Sequence, residues 1–482
     1  MNHPTRRLFA LALLFTGALG LSSAALARDD SPTESALPSS RATLERAGSA
    51  TWAEIVERDA RSRVPAGLAE PEPRVVKRPA LPDPEIPAGL LRSHASPQRP
   101  AAGSDSSASV PPGATLLAPS PSAALAPGAG FLALPDPNTN IPPDTCGAAG
   151  PSHLVATLNT QVRIQTKSGA ALSTVSLAAF WSAGGLTGDP FDPRVTWDRL
   201  SGRWFVVTDA DGGTPDSAVW LAMSAGSDPT GNWDFFSLDA DATGQTWADF
   251  PGFATNSKWI AITNDMFSVA GDVFHGAKLW VIDKPSLVAT GSSTVDVFGT
   301  GFDESAGFGG FTFQPAITVD AGQQKLYLLD GPYPSGPSRF MRLSELTGTA
   351  TDPAWAPTTG STAGIPGFFQ LPNGFSFAPL GAAQSGLPST CSGGTSAGSA
   401  CATSNDCGGG GKCRRIDTGD TRISSMPMLR GSQLWVTHSA WLPTSGPSNR
   451  TAVFWYQLST ASAAAPVVQS GVIDGGSGVH HF

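Results

Sequence analysis

The sequence predicts an all-β chain, a β-propeller of four-stranded blades, and three observations carry that prediction. Glycine (54) and proline (42) are abundant and charged residues make only 14% of the 482, which argues against a helical bundle. Thirteen tryptophans and 24 phenylalanines supply a core. A strand–turn–strand phrase recurs across residues 129–482, and radial repetition of four-stranded sheets is the propeller plan.

The chain opens with an export signal. Arg6 and Arg7 precede an apolar run from Leu8 to Leu21, and small residues follow to Ala25-Leu26-Ala27. A charged start, a short apolar middle and an A-x-A end define residues 1–27 as a signal peptide. The run is shorter than the ~20 residues that span a bilayer. The mature chain is therefore expected to have no integral membrane segment and to be secreted (extracellular, cell-surface or periplasmic). Net charge is −9, which gives no footprint for nucleic acid.

Residues 28–128 read as a disordered linker rich in proline, alanine and serine, with no strand period. One stretch in it, Thr51 to Arg63, has helical spacing, with Trp52, Ile55 and Val56 on one face. It is expected to be a transient helix in a tether, the alternative being a docking or pro-segment helix.

Residues 129–482 form the predicted propeller. Four phrases align on a proline: "DPRVTWDRLSGRWFVVTDA" at Pro193, "DFPGFATNSKWIAITNDM" at Pro251, "FQPAITVDAGQQKLYLLDG" at Pro315 and "SMPMLRGSQLWVTHSA" at Pro427. A fifth, "GAAGPSHLVATLNTQ", fits around Pro151. Each reads as a strand, a polar hairpin and a second strand of alternating apolar residues. The prolines lie 58, 64 and 112 residues apart, and the last gap contains an insertion.

These phrases, with "PPDTCGAAGPSHLV" and "IDTGDTRI…LW", resemble a group of bacterial secreted propeller proteins similar in fold to sialidase-like propellers. The resemblance implies a fold and no activity. Members of the group continue past the "GVIDGG…VHHF" phrase, so the chain is expected to stop in an unfinished blade. About five blades are then visible, alone or as part of an incomplete seven-bladed ring.

Four cysteines, Cys391, Cys401, Cys407 and Cys413, lie in a Cys-rich insertion at 387–415. In an exported chain they predict two disulfides with three possible pairings. Their gaps fit a zinc site poorly. Cys146 is left over and is expected to be a buried free thiol, the alternative being an intermolecular link.

Repeat alignment selects candidate ligand-binding residues for one face of the ring. Asp144, Asp192, Asp249 and Gln314 stand before the first strands. Asn159, Asp209, Asn264 with Asp265, Asp330 and His438 stand at the ends of the second strands. Asp211, Asp420 and Arg422 are close by. Carboxylates with amide oxygens suit calcium, with Asp209, Asp211 and Asp265 as candidate ligands, or they suit a sugar. The bland alternative is that such side chains satisfy backbone donors in turns. The stretch "DADGGTPD" lacks the third acidic ligand and the glutamate of an EF-hand and reads as a loop. "SDPTGNW" resembles an Asp-box turn, in which Asp228 caps, Gly231 takes a positive φ and Trp233 packs inward.

A sialidase-type site needs a tyrosine nucleophile among arginines and an acid. Tyr327, Tyr333 and Tyr456 have no such company. The expected function is thus a non-catalytic extracellular module binding a glycan, protein or cell surface. The alternative is a sialidase-like glycoside hydrolase or lyase using channel-face carboxylates such as Asp192, Asp249 and Asp265.

Overall fold

A computed structural model of the chain describes residues 38–62, 74–75, 130–137, 140–271, 273–299, 312–335, 338–358, 366–376, 391–392, 395–396, 399, 407–409, 412–413, 418–444, 448–462, 466–477 and 479–481. The expected signal peptide and most of the expected linker, with Cys401, lie outside the described residues.

The first described elements are two strands, β1 (Ser40–Leu44) and β2 (Arg46–Thr51), and the helix α1 (Trp52–Ser62). A two-residue strand, β3 (Arg74–Val75), pairs in parallel with β4 (Asn140–Ile141). The first blade follows as β5 (Cys146–Ala149), β6 (His153–Thr157), β7 (Gln161–Thr166) and β8 (Ala171–Ser176). A short helix, α2 (Leu177–Ser182), leads to the second: β9 (Pro190–Asp198), β10 (Arg203–Ala210), β11 (Ala218–Ser224) and β12 (Asn232–Asp239). The third is β13 (Thr246–Thr255), β14 (Trp259–Ser268), β15 (Phe274–Asp283) and β16 (Ser293–Phe298), with α3 (Lys284–Thr290) between its last two strands.

The fourth begins with β17 (Gln314–Pro315). Then β18 (Ile317–Thr318) crosses to the fifth sheet, and β19 (Leu326–Ser335), β20 (Ser338–Thr349) and β21 (Asp352–Pro357) complete the fourth, with β22 (Phe368–Gln370) also on β20. The insertion carries β23 (Cys391–Ser392) and β24 (Lys412–Cys413), paired with each other. The fifth blade is β25 (Met428–Arg430), β26 (Gln433–Leu442), β27 (Arg450–Ser459) and β28 (Val467–Ile473), with β18 alongside β25.

The chain is a five-bladed β-propeller. Its last sheet carries the full four strands, so the expected break inside a blade is corrected: "GVIDGG" begins within β28, the outer strand.

Burial explains why the second strands read as nearly continuous apolar runs. Strands β10 and β14 are sandwiched between neighbouring blades and are buried on both faces. Strand β26, by contrast, alternates, with Leu434, Val436, His438 and Ala440 turned in. The first interblade core gathers Val155, Ile164, Val195, Trp204 and Val206; a later one gathers Leu329, Leu343, Leu434, Phe454 and Tyr456.

The linker expectation fails over residues 38–62. Strand β1 extends the third sheet by pairing with β16, and β2 extends the second by pairing with β12. An outer strand leaves an unpaired edge, and this segment supplies its missing hydrogen bonds. Helix α1 starts with a capping box: Thr51 Oγ1 accepts from Glu54 N (3.1 Å) and Glu54 Oε2 accepts from Thr51 N (2.7 Å). Trp52 and Ile55 are buried beside Phe180, while Val56 faces out. Asp59 Oδ1 accepts from Ser176 N (2.9 Å), joining α1 to the start of α2. The helix therefore docks, and the tether reading is corrected for this stretch.

Cys391 and Cys407 form a disulfide, and Cys146 is a buried free thiol. In "SDPTGNW", Asp228 Oδ1 accepts from Thr230 N (2.9 Å) and Trp233 Nε1 donates to Pro229 O (2.9 Å). Gly231 does not take the positive φ expected of it. Among the described residues no helix is long and apolar enough to cross a membrane.

Candidate functional site: a carboxylate cluster between the second and third blades

Four non-glycine residues with positive φ mark the entrances of four blades: Asp144 (45°), Asp192 (52°), Phe250 (59°) and Thr312 (52°). That region is costly for residues with a Cβ, most of all for threonine and phenylalanine. Two residues further on stand Cys146, Arg194, Gly252 and Gln314, whose partners across the sheet are Thr157, Val207, Thr263 and Leu329. Two residues past three of those partners stand Asn159, Asp209 and Asp265, which therefore occupy one structural place.

In two of the three blades this side chain braces the next blade. Asn159 Oδ1 accepts from Asp192 N (2.6 Å), and its Nδ2 donates to Asp144 Oδ2 (2.6 Å) and Pro142 O (3.0 Å). Asp265 Oδ1 accepts from Thr312 N (3.0 Å) and its Oδ2 from Thr312 Oγ1 (2.6 Å). The bonds from Asp192 N and from Thr312 hold the strained residue of the following blade, which is the turn-satisfying role that sequence alone left open. Asp209 makes no such bond. Its Oδ2 accepts from Asn264 Nδ2 (2.7 Å), and its Oδ1 has no partner among the described residues.

Asp192, Asp209, Asp249 and Asp265 are all nearly or wholly buried and sit close enough to act on one another. Burial, then the charges of Asp192 and Asp249, push the Asp209 carboxyl well above the usual carboxylate range; Asn264 and Arg194 pull the other way. Burial also raises Asp265 to about 6, opposed by Arg422 and by the Thr312 hydroxyl. The two arginines meet at one ring: the guanidinium of Arg422 lies 4.1 Å from the centre of Phe250 and that of Arg194 5.5 Å. Arg422 Nη1 also reaches Asp265 Oδ2 (3.5 Å), and its Nε pairs with Asp420 Oδ2 (2.7 Å). Arg194 donates to Pro251 O (3.2 Å) and Ser424 O (3.4 Å). The loop before β25 thus reaches back to the second and third blades.

Arg194, Phe250 and Thr312 were missed in the sequence. The signal for the first two was the aligned pair "DPR" and "FPG", in which each proline follows a residue of positive φ.

Three candidates lie elsewhere. Asp330 stands one place short in register, opposite Arg342, and forms a buried ion pair with it (4.0 Å). His438 is a core residue of the fifth blade. Its ring packs among Phe375 (4.9 Å), Phe454 (5.5 Å) and Tyr456 (5.8 Å), and burial lowers it to about 4. Asp211 lies in the β10–β11 loop, where its Oδ1 accepts from Asp189 N (3.0 Å). Gln314 is buried at the entrance of the fourth blade.

The calcium expectation is corrected. Among the described residues no group of three or more His, Cys, Asp or Glu side chains could hold a metal ion. Asp211 is turned to Asp189 in the segment before β9, Asp265 is taken by Thr312 and Arg422, and Asp209 faces an amide nitrogen, so the three named ligands do not converge.

No protein-family model matches the chain, and no curated protein matches it. Solved structures do. One is an exo-1,5-α-L-arabinanase from a bovine ruminal metagenomic library (10% identity, 69% of this chain and 96% of that one, TM-score 0.30). Another is an arabinanase from Bacillus subtilis (12% identity, 67% and 96%, TM-score 0.30). A third is an exo-β-1,3-galactanase from Phanerochaete chrysosporium (11% identity, 68% and 63%, TM-score 0.31). The likeness is to propellers and not to the sialidase-like group in particular. At these TM-scores it transfers no residue and no substrate. These similar chains carry the names of carbohydrate-cleaving enzymes; the expectation of a non-catalytic binding module is not carried forward, and its hydrolase alternative is taken up below on the carboxylates alone.

Proposed function

We propose that this chain is a glycoside hydrolase acting on an extracellular glycan, exported by its signal peptide, with acid and base drawn from Asp192 and Asp249. The observation that carries the reading is the gathering of four carboxylates from two adjacent blades, in which burial raises Asp209 and Asp265, the neighbours of the proposed acid and base. Glycoside hydrolysis needs one carboxyl that holds its proton for the leaving oxygen and another that is ionised. Crowded carboxylates in a buried setting separate into those two states, because like charges this close resist ionising together.

Within the cluster the roles divide by exposure. Asp192 (6%) and Asp249 (9%) keep slightly more exposure than Asp209 (0%) and Asp265 (1%), and the acid and base are assigned to them on that ground. Asp209 interacts electrostatically with both. Arg422 and Arg194, held on the Phe250 ring, keep positive charge beside the ionised member.

The test is turnover on a panel of polysaccharides and aryl glycosides. Asp192→Asn and Asp249→Asn should each lower kcat by about 100-fold or more, the range for losing general acid or base catalysis. Their melting curves should match the parent. Two variants with parental rates would sink the assignment.

A further inference from the structure

Two unsatisfied atoms sit on one pair of side chains. Asp209 Oδ1 and Asn264 Oδ1 are both buried without a partner among the described residues, while Asn264 Nδ2 donates to Asp209 Oδ2 at 2.7 Å. Both orphans are oxygens, and each carries lone pairs facing no donor. The carboxamide cannot be turned round to help. Its Nδ2 also donates to the backbone oxygen of Asp249 (3.3 Å), which can only accept, so a flipped amide would set oxygen against oxygen at both contacts.

Buried polar atoms without partners are rare and costly. One added proton removes both here. Placed on Asp209 Oδ1, it makes that oxygen a donor, and the amide whose nitrogen already bonds Asp209 Oδ2 offers an unpaired oxygen to accept it. A carboxylic acid and a primary amide joined this way close an eight-membered ring with two hydrogen bonds. We propose that Asp209 is a neutral carboxylic acid at neutral pH, locked by Asn264 in such a cyclic pair, and that Asn264 is a positioning residue for the cluster.

The charges around Asp209 agree. Asp192 and Asp249 disfavour a third negative charge, Arg194 offers partial relief, and burial excludes the water that would stabilise an anion. The comparison with the other blades sharpens the point. Asn159 and Asp265, at the same place, accept bonds from the next blade and are held as acceptors. Only Asp209 is left with an oxygen free to carry a proton. A neutral Asp209 also removes one repulsion from Asp192 and Asp249, so either can ionise beside it. That last consequence rests on the hydrolase reading; the protonation state does not.

Infrared difference spectroscopy on the full chain tests it. The parent minus Asp209→Asn spectrum at neutral pH should contain the carbonyl stretch of a protonated carboxyl, shifting in D2O. Asparagine at 209 is isosteric and can form the same ring with Asn264, so the variant should fold. Asn264→Ala is the second arm: the band should persist in the parent position only if Asn264 is not the partner, and is expected to move to higher frequency. A carboxylate stretch in place of the protonated band, or a band indifferent to Asn264→Ala, overturns the proposal. A protonated band in a chain that cleaves no glycoside supports the pair and sinks only the hydrolase reading.

Discussion

Replacing Asp265 by asparagine should remove a pH dependence that burial builds into the fold. The Asp265 carboxyl is 1% exposed, and desolvation raises it from 3.8 to about 6 despite Arg422 and Thr312. The folded protein therefore binds this proton more tightly than the unfolded chain does. The group's contribution to stability is present below the unfolded value, near 3.8, and is lost as pH rises through about 6. A shift of roughly two units at about 1.36 kcal/mol each makes the loss about 3 kcal/mol. Asparagine can still accept from Thr312 N but carries no proton to lose, so its offset from the parent in hydrogen bonding is the same at every pH. Guanidinium unfolding of both proteins across this range gives the answer as a difference. The parent should lose about 3 kcal/mol relative to the variant between the acid and neutral ends. A difference that stays flat within 1 kcal/mol would refute the claim that Asp265 is buried with a raised pKa.

His438 should behave with the opposite sign. Burial lowers it from 6.5 to about 4, so its contribution is present above 6.5 and is lost as pH falls toward 4. His438→Phe keeps the packing against Phe454 and Tyr456 and should flatten that acid limb by about 3 kcal/mol in the same unfolding series. Ile55→Ala should loosen α1 from the blades at a cost of ~2–5 kcal/mol, read as faster proteolytic release of residues 38–62; release at the parental rate would mean the helix does not hold the segment. Lys284 and Asp198 form a buried pair at 2.7 Å between α3 and the β9–β10 turn. Lys284→Met alone should cost ~3–5 kcal/mol by stranding the carboxylate. Adding Asp198→Asn should recover most of that, because asparagine still caps Leu200 N; no recovery would show that the pair acts through something other than charge.

The residues that frame the site show where a linear reading succeeds. The prolines at 193 and 251 aligned because each follows a residue bent into positive φ, and that bend is a local property of the chain. Asn159, Asp209 and Asp265 could be picked because each follows its bend by about the same length of chain, in or just past the second strand. The same procedure misplaced Asp330 by one residue: Gln314 pairs with Leu329, so the place equivalent to Asp209 falls on Gly331. A strand's side chains alternate, so one step turned Asp330 away from the cluster and toward Arg342. His438 failed for a related reason: it ends no strand, and alternation within β26 turns it into the core.

Residues 38–62 failed differently. Their composition is that of a tether, and no local signal tells that β1 and β2 will find open edges about 180 to 260 residues away. The capping box at Thr51 and Glu54 was legible, but it marks a helix start and says nothing about docking.

The sequence by itself determined the repeat, the blade plan and the disulfide-bearing insertion, because strand alternation, hairpin turns and cysteine spacing are encoded in neighbouring residues. Only the tertiary structure decided which carboxylates share a site and which merely brace a turn. That distinction depends on burial and on hydrogen-bond partners brought from other blades, and a buried carboxylate is defined by what surrounds it in space.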